Sequence, residues 1–226
     1  MSVRDAGVLV AGATGAFGGA IARELGGRGA RLALGGRDEA KLSAIAQELG
    51  AVTATAADLT VSGEPERLVE ASADALGGLD VAVCAIGVVA FGPARDVEDD
   101  VLRALMEVNL LAPARLARAA VGRMERGGVI VNISAIVAEM PTAGMAAYSA
   151  SKAALTAFDA AMARELRREG VRVVDVRPPH LATGLETRPI TGEPPKLPHG
   201  QDPAAWAARV ADAIEDAART EVGSEE

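Results

Sequence analysis

The stretch Val8-Leu-Val-Ala-Gly-Ala-Thr-Gly-Ala-Phe-Gly-Gly-Ala-Ile-Ala22 decides the fold. Aliphatic residues lead straight into glycines at 12, 15, 18 and 19, and an Ala/Ile run follows without a break. A strand, a glycine turn and a helix start in immediate succession form the opening of a βαβ unit, with free N–H groups at the helix start aimed at a phosphate. Gly12 permits the tight turn, Gly15 lets the backbone approach a pyrophosphate, and Gly18 lets the helix pack against the strand. The same stretch is uncharged over residues 7–22 and could pass for the core of a secretory signal. Its glycines and the Arg4/Asp5 pair ahead of it argue against that, and it is short of the ~20 apolar residues a spanning helix needs. The expectation is a folded element of a soluble, cytoplasmic protein.

Outward from this unit, short aliphatic runs alternate with longer amphipathic stretches, without a linker or a repeat. Strands are predicted at 8–11, 31–34, 52–56, 81–86, 129–133 and 171–176. Helices are predicted at 16–27, 38–49, 65–76, 98–126 and 146–169, with a last one at 203–219. Strands apolar on both faces and separated by helices mean an α/β, doubly wound parallel sheet. A single Rossmann-type domain over 1–226 is expected. Seven of the eleven prolines fall between 178 and 203, after the sixth strand. That Pro-rich segment reads either as a substrate lid or as a surface connection.

Composition narrows the partners. Of 226 residues, half are hydrophobic and only 2% aromatic, so the core is built from many small contacts. A net charge of −8 provides no bulk positive field for nucleic acid or an anionic membrane. One Cys and two His leave too few soft ligands for a zinc or iron–sulfur site. Cys84 reads as a small buried hydrophobe, and His180 and His199 as solvated loop histidines. Arg177, Arg188 and Lys196 read as surface charges.

Two further local patterns carry chemistry. The second strand ends Leu34-Gly-Gly-Arg-Asp38, with Gly36 where an acidic side chain would hold ribose hydroxyls. Arg37 follows, suited to a 2′-phosphate, and favours NADP(H) over NAD(H); an exposed Arg at a helix start is the alternative. In Tyr148-Ser-Ala-Ser-Lys152 a phenol and an ammonium stand four residues apart on one helix face. A nearby cation lowers a phenol's pKa toward usefulness as an acid or base. Tyr148 is the sole tyrosine.

With these motifs in place, the chain resembles the short-chain dehydrogenase/reductase family over nearly its whole length. The carrying residues are Gly12, Gly15 and Gly18, Asp58-Leu59, Asn109, Tyr148 with Lys152, and Thr183 in Pro178-Pro-His-Leu-Ala-Thr183. The resemblance implies a cofactor set of Gly12, Thr14, Gly15, Ala16, Phe17, Gly18, Arg37, Asp58, Leu59, Gly87, Tyr148, Lys152, Pro178 and Thr183. Asp58 and Leu59 would meet the adenine, Lys152 the nicotinamide ribose and Thr183 the carboxamide. It implies a small carbonyl or alcohol substrate, with Tyr148 as acid/base, Lys152 and Asn109 in a proton relay, and a homodimer or homotetramer. Pro113, four residues after Asn109, cannot receive the helical hydrogen bond of the Asn109 carbonyl. Either that carbonyl holds a relay water, or the proline only kinks a long helix.

Four departures from the family pattern stand out. The family's Ser, thirteen positions before Tyr148, is here Ala135. Ser134 is one residue early, and the strand period of two turns it to the opposite face unless a bulge intervenes. A lost oxyanion donor commonly costs ~10²–10³ in rate, unless Ser134, Thr142 or Ser149 substitutes. A dinucleotide-binding sensor or partner subunit with little turnover is therefore a rival reading. Cys84-Ala-Ile-Gly87 replaces Asn-Asn-Ala-Gly, keeping only the Gly of interest. The glycine spacing matches atypical or extended branches, yet the chain is too short for an extended member's substrate domain. No seventh strand is expected in the polar tail at 220–226, which favours a dimer through the 98–126 and 146–169 helices.

Overall fold

Strands that are apolar on both faces need cover on both, and helices supply it. The computed structural model describes residues 2–219. In chain order it contains β1 (Gly7–Ala11), α1 (Ala16–Gly27), β2 (Arg31–Gly36), α2 (Glu39–Leu49), β3 (Thr53–Ala56), α3 (Glu64–Leu76) and β4 (Val81–Cys84). There follow α4 (Asp99–Met106), α5 (Ala112–Val121), β5 (Val129–Ile133), α6 (Ala146–Glu165), β6 (Arg172–Val176) and α7 (Pro203–Arg219). The six strands form one parallel sheet in the order β3-β2-β1-β4-β5-β6. The doubly wound α/β expectation holds. Strand order reverses between β1 and β4, which opens a crevice at their carboxyl ends.

Alternation along each strand decides which helix covers which face. Val8, Val10, Leu34, Val83 and Val131 pack with Ile21 and Leu25 of α1 and Val210 and Ile214 of α7. Leu9, Ala33 and Ala82 point the other way, to Leu68 and Leu76 of α3 and Leu116 of α5. Ile130 meets Met162 and Leu166 beside α6. A third cluster, above the carboxyl ends of the sheet, brings Val89, Phe91, Ala135, Val137, Met145 and Tyr148 together.

Element ends differ from the sequence reading where glycine and proline act. The helix expected over 98–126 is broken into α4, a π-helical turn at Glu107–Leu111, and α5. Pro113 sits in the first turn of α5 and has no N–H to give; the chain widens instead, and Ala112 N–H reaches back five residues to the Glu107 carbonyl. α6 stops at Glu165 in a tight 3₁₀ turn before Gly170, which adopts φ +76°. β2 runs on to Gly36, and β4 ends at Cys84, where the Ala85 carbonyl turns onto the glycine loop. The tail at 220–226 lies outside the described residues. No helix among the described residues is long and apolar enough to cross a membrane.

Candidate active site

A cleft of about 910 Å³ opens at the reversal of strand order. Of the residues in the expected cofactor set and of Tyr148, Lys152, Asn109 and Ser134, all but Asn109 line it, and Asn109 is fully buried beside it. One end is walled by the glycine loop and the ends of β2 and β3. The other is walled by the apolar cluster around Tyr148 and by residues between 178 and 198.

Two of the glycines are required by space. Gly12 has φ +89°, and a Cβ there would stand 2.7 Å from the Ala85 carbonyl oxygen. At Gly18 a Cβ would stand 2.2 Å from the Gly12 carbonyl oxygen, so no side chain fits between turn and helix. Gly15 is different: it caps α1 in extended conformation and is exposed, with only the Gly12 carbonyl near its missing Cβ, at 3.2 Å. No side chain caps α1, so its first N–H groups remain available to an anion in the cleft, which Thr14, Ala16 and Phe17 also line. This cradle fits a pyrophosphate.

The end of β2 shows why no acid stands at position 36. A Cβ on Gly36 would meet Thr14 Cγ2 at 3.0 Å and Oγ1 at 3.1 Å, so Thr14 fills the space. Arg37 is exposed at the cleft, and no hydrogen bond or ion pair holds it among the described residues. Lys41, which the sequence reading passed over, lines the cleft beside it and pairs with Asp38 at 3.1 Å. Its signal was the helix-start pattern itself, because Asp38 caps α2 by accepting the Lys41 N–H at 3.0 Å. Asp58 accepts from the Thr60 N–H (3.0 Å) and hydroxyl (2.7 Å). Those bonds, and the charge of Arg37, hold its carboxyl below the usual range. Leu59 is buried behind it.

α6 carries Tyr148 and Lys152 on one face, as the four-residue spacing requires. Both are buried. Lys152 Nζ donates to the Ile133 carbonyl at 2.8 Å. A Cβ on Gly87 would lie 3.5 Å from that Nζ and 3.4 Å from Asn109 Oδ1, ordinary contact distances that place Gly87 beside both groups. Asn109, inside the π-helical turn, clamps the loop after β4. Its Oδ1 accepts the Val88 N–H at 3.0 Å, and its Nδ2 donates to the Val88 carbonyl (2.9 Å) and Ser151 Oγ (3.0 Å). Burial pushes the Tyr148 phenol up to about 12 and Lys152 down to about 8. The lowering of Tyr148 by Lys152 expected from their spacing is not what these surroundings give, because desolvation of the phenol dominates. At neutral pH the phenol is a proton donor, and the Cys84 thiol, pushed up to about 12 by burial, is inert.

The missing Ser is not replaced nearby. Ser134 Oγ is turned onto α6, 3.3 Å from the Lys152 carbonyl and 3.0 Å from Thr156 Oγ1. A catalytic role for Ser134 is therefore corrected to one of tying β5 to the helix that carries Lys152. Thr142 is exposed, its hydroxyl directed at the Met140 carbonyl at 3.4 Å, and the buried Ser149 is absent from the cleft lining. Ala135 occupies the expected place, extended at φ −167° and packed in the cluster with Tyr148.

Pro178 is buried, and its carbonyl accepts the Ile136 N–H at 2.9 Å, which pins the segment after β6 to the segment after β5. Thr183 lines the cleft beyond it. His180 is not a solvated loop histidine. Its Nδ1 lies 2.9 Å from the Pro198 carbonyl, which can only accept, so Nδ1 carries the hydrogen; Nε2 faces Glu186 at 3.4 Å. His199 is exposed as expected. Arg177 is held by Asp175 at 2.8 Å and by Glu139, so it is not an isolated surface charge.

Behind Lys152 lies a polar group that the sequence reading missed. Asn132 Nδ2 donates to Asp159 Oδ1 at 2.6 Å, and Asn132 is in register with Asp175 across β5 and β6. Burial pushes Asp159 up to about 7 and raises Asp175 as well. The available signal was position: Asp159 is seven residues past Lys152, on the face of α6 that turns inward.

A family model described as short chain dehydrogenase matches residues 6–192. The chain belongs to the short chain dehydrogenases. An uncharacterized oxidoreductase of Methylorubrum extorquens is 34% identical over 191 residues, 81% of this chain and 77% of the relative. Among solved structures, a short-chain oxidoreductase of Thermus thermophilus is 37% identical with a TM-score of 0.79, covering 92% of this chain and 95% of its own. A short chain dehydrogenase of Burkholderia cenocepacia, solved in complex with NADP, is 27% identical with a TM-score of 0.86, covering 98% and 96%. Membership makes the chain an oxidoreductase by family.

Proposed function

We propose that the chain is an NADP(H)-dependent oxidoreductase that interconverts a carbonyl and an alcohol in the cleft between β1 and β4. The observation that carries this reading is the Tyr148 hydroxyl: on a buried side chain that lines the cleft, without a protein hydrogen bond among the described residues, and one helical turn from Lys152. The nicotinamide dinucleotide supplies the hydride when bound. Everything else falls to the chain. The glycine loop and the uncapped start of α1 bind the pyrophosphate, and Asp58 and Leu59 border the adenine end. Lys152 and Thr183 hold the nicotinamide end, and Tyr148 gives its proton to the substrate oxygen in reduction and takes it back in oxidation. Asn109 acts by fixing Val88 and Ser151 around Lys152.

NADP(H) is favoured over NAD(H) by the free guanidinium of Arg37, by Lys41 beside it, and by Thr14 standing where an acid at position 36 would have to go. The Burkholderia relative was solved with NADP, in line with this preference. Steady-state oxidation of NADPH with a panel of carbonyls tests the reading. Tyr148→Phe is expected to abolish turnover while leaving NADPH binding intact; unaltered turnover overturns the mechanism.

Ala135 favours a second reading, a dinucleotide-binding sensor with little turnover, because Ser134, Thr142 and Ser149 are all directed elsewhere. Ala135→Ser separates the two. A large gain in rate marks a catalytic site short of one donor, and a variant as silent as the wild type marks a sensor.

A further inference from the structure

The substrate end of the cleft sets the Tyr148 hydroxyl, which has no protein partner among the described residues, within an apolar wall. Val89, Phe91, Ala135, Val137 and Met145 form that wall with the ring of Tyr148. The polar side chains on this side are not part of that wall. Thr142 is exposed and directed at the Met140 carbonyl, and Arg188 gives Nε to the Gly184 carbonyl at 3.2 Å on the exposed rim. His180 Nε2 and Glu186 Oε2, buried and without hydrogen-bond partners, face each other at 3.4 Å. A polar substituent buried against that wall would lose its water and find nothing there in exchange, which selects against it on that side.

The donor count bears on the carbonyl itself. With Ala135 in place of a hydroxyl, and Ser134 turned onto α6, the substrate oxygen meets the Tyr148 phenol alone. One donor fewer at a developing oxyanion costs ~10²–10³ in rate for a substrate that depends on it. That cost is smallest for a carbonyl carbon already electrophilic and unhindered, which is an aldehyde and not a dialkyl ketone.

Resting on the oxidoreductase reading above, we propose that the site is selective for apolar aldehydes, with the hydrocarbon body against Val137, Met145 and Phe91. In the reductive direction a hydride from the dihydronicotinamide forms the new C–H bond and the Tyr148 proton forms the O–H bond. The aldehyde leaves as a primary alcohol, the cofactor leaves oxidised, and solvent returns the proton to Tyr148.

The test compares nonanal, 2-nonanone and glyceraldehyde with NADPH, together with binding of nonanamide and acetamide to the NADPH-loaded protein. The amides are unreactive mimics that report on the pocket without turnover. Nonanal is expected to exceed 2-nonanone in kcat/KM by about 100-fold, the scale of one missing donor. Shortening the aldehyde is expected to cost about fourfold per methylene removed, and nonanamide to bind far more tightly than acetamide. Ala135→Ser is expected to raise the ketone rate about tenfold or more while the aldehyde gains much less. Equal rates for aldehyde and ketone, or a preference for glyceraldehyde, overturn the proposal. Tight nonanamide binding with no turnover of any carbonyl overturns the oxidoreductase reading and leaves the apolar pocket standing; equal binding of both amides overturns the pocket itself.

Discussion

Asn132 on β5 donates to Asp159 on α6 at 2.6 Å, a buried bond that leaves Asn132 Oδ1 and Asp159 Oδ2 without partners. Asp175 Oδ1 is likewise buried and unpartnered. All three are acceptors, so the group lacks a donor, and a proton on a carboxyl is what supplies one. Asp159, pushed up to about 7 by burial, holds that proton near neutrality. Its folded pKa lies above the unfolded value of 3.8, so its contribution to stability is complete below about pH 4 and lost as pH rises through about 7. Asp159→Asn is expected to flatten the fall in unfolding free energy across that window, an effect of up to roughly 4 kcal/mol at 1.36 kcal/mol per pH unit. Denaturant titrations at several pH values check it, and identical slopes for variant and wild type overturn the assignment.

Lys152 moves the other way. Burial, against the opposing pull of the Asp175 and Asp159 carboxylates, brings the ammonium down to about 8. A cation at the nicotinamide end that loses its charge above about pH 8 is expected to weaken NADPH binding on the alkaline side, with Lys152→Met removing the pH dependence. Cofactor fluorescence titrated from pH 6.5 to 9.5 measures this, and a flat wild-type profile excludes it.

The glycine loop and the Tyr148/Lys152 pair were legible because each is a contiguous pattern whose spacing fixes geometry. Strands apolar on both faces were enough to predict helices on both sides of the sheet. Ser134 was half legible: the period of two turned its hydroxyl away from Tyr148, but the option of a bulge left it standing as a catalytic candidate, and only its contacts with α6 removed it. What escaped were contacts between segments far apart in the chain. Thr14 over Gly36, His180 against Pro198, and Asn132 with Asp159 each join different elements, and no local pattern encodes them. The break at Glu107–Leu111 was half legible, because Pro113 announced a lost hydrogen bond but not the π-helical turn that absorbs it.

Cofactor choice rests on three residues at the end of β2. Arg37→Ala is expected to weaken NADPH binding about tenfold or more while NADH is little changed, the loss of one charge-assisted phosphate contact. Gly36→Asp alone is expected to disturb the loop, because its Cβ would press on Thr14 at 3.0 Å. Paired with Thr14→Ala it is expected to bind NADH in preference. Parallel titrations of the variants with both cofactors check this, and a tenfold wild-type preference for NADH would overturn the reading of Arg37.

Asn109 provides the sharpest test of how the site is held together. Its amide makes three hydrogen bonds from a fully buried position, two of them to the backbone of Val88. Asn109→Ala removes all three and leaves the N–H and C=O of half-buried Val88 without their partner, at a cost of roughly 1–3 kcal/mol. Asn109→Asp keeps the acceptor for the Val88 N–H but turns the donor into a second acceptor facing the Val88 carbonyl. That variant is expected to be the less stable below neutrality only if its new carboxyl stays ionised; protonated, it recovers one donor and part of the lost stability. Thermal unfolding of the two variants between pH 5 and 8 distinguishes these states. Recovery of Asn109→Asp at acidic pH, with Asn109→Ala unresponsive, is the outcome that the clamp on Val88 requires.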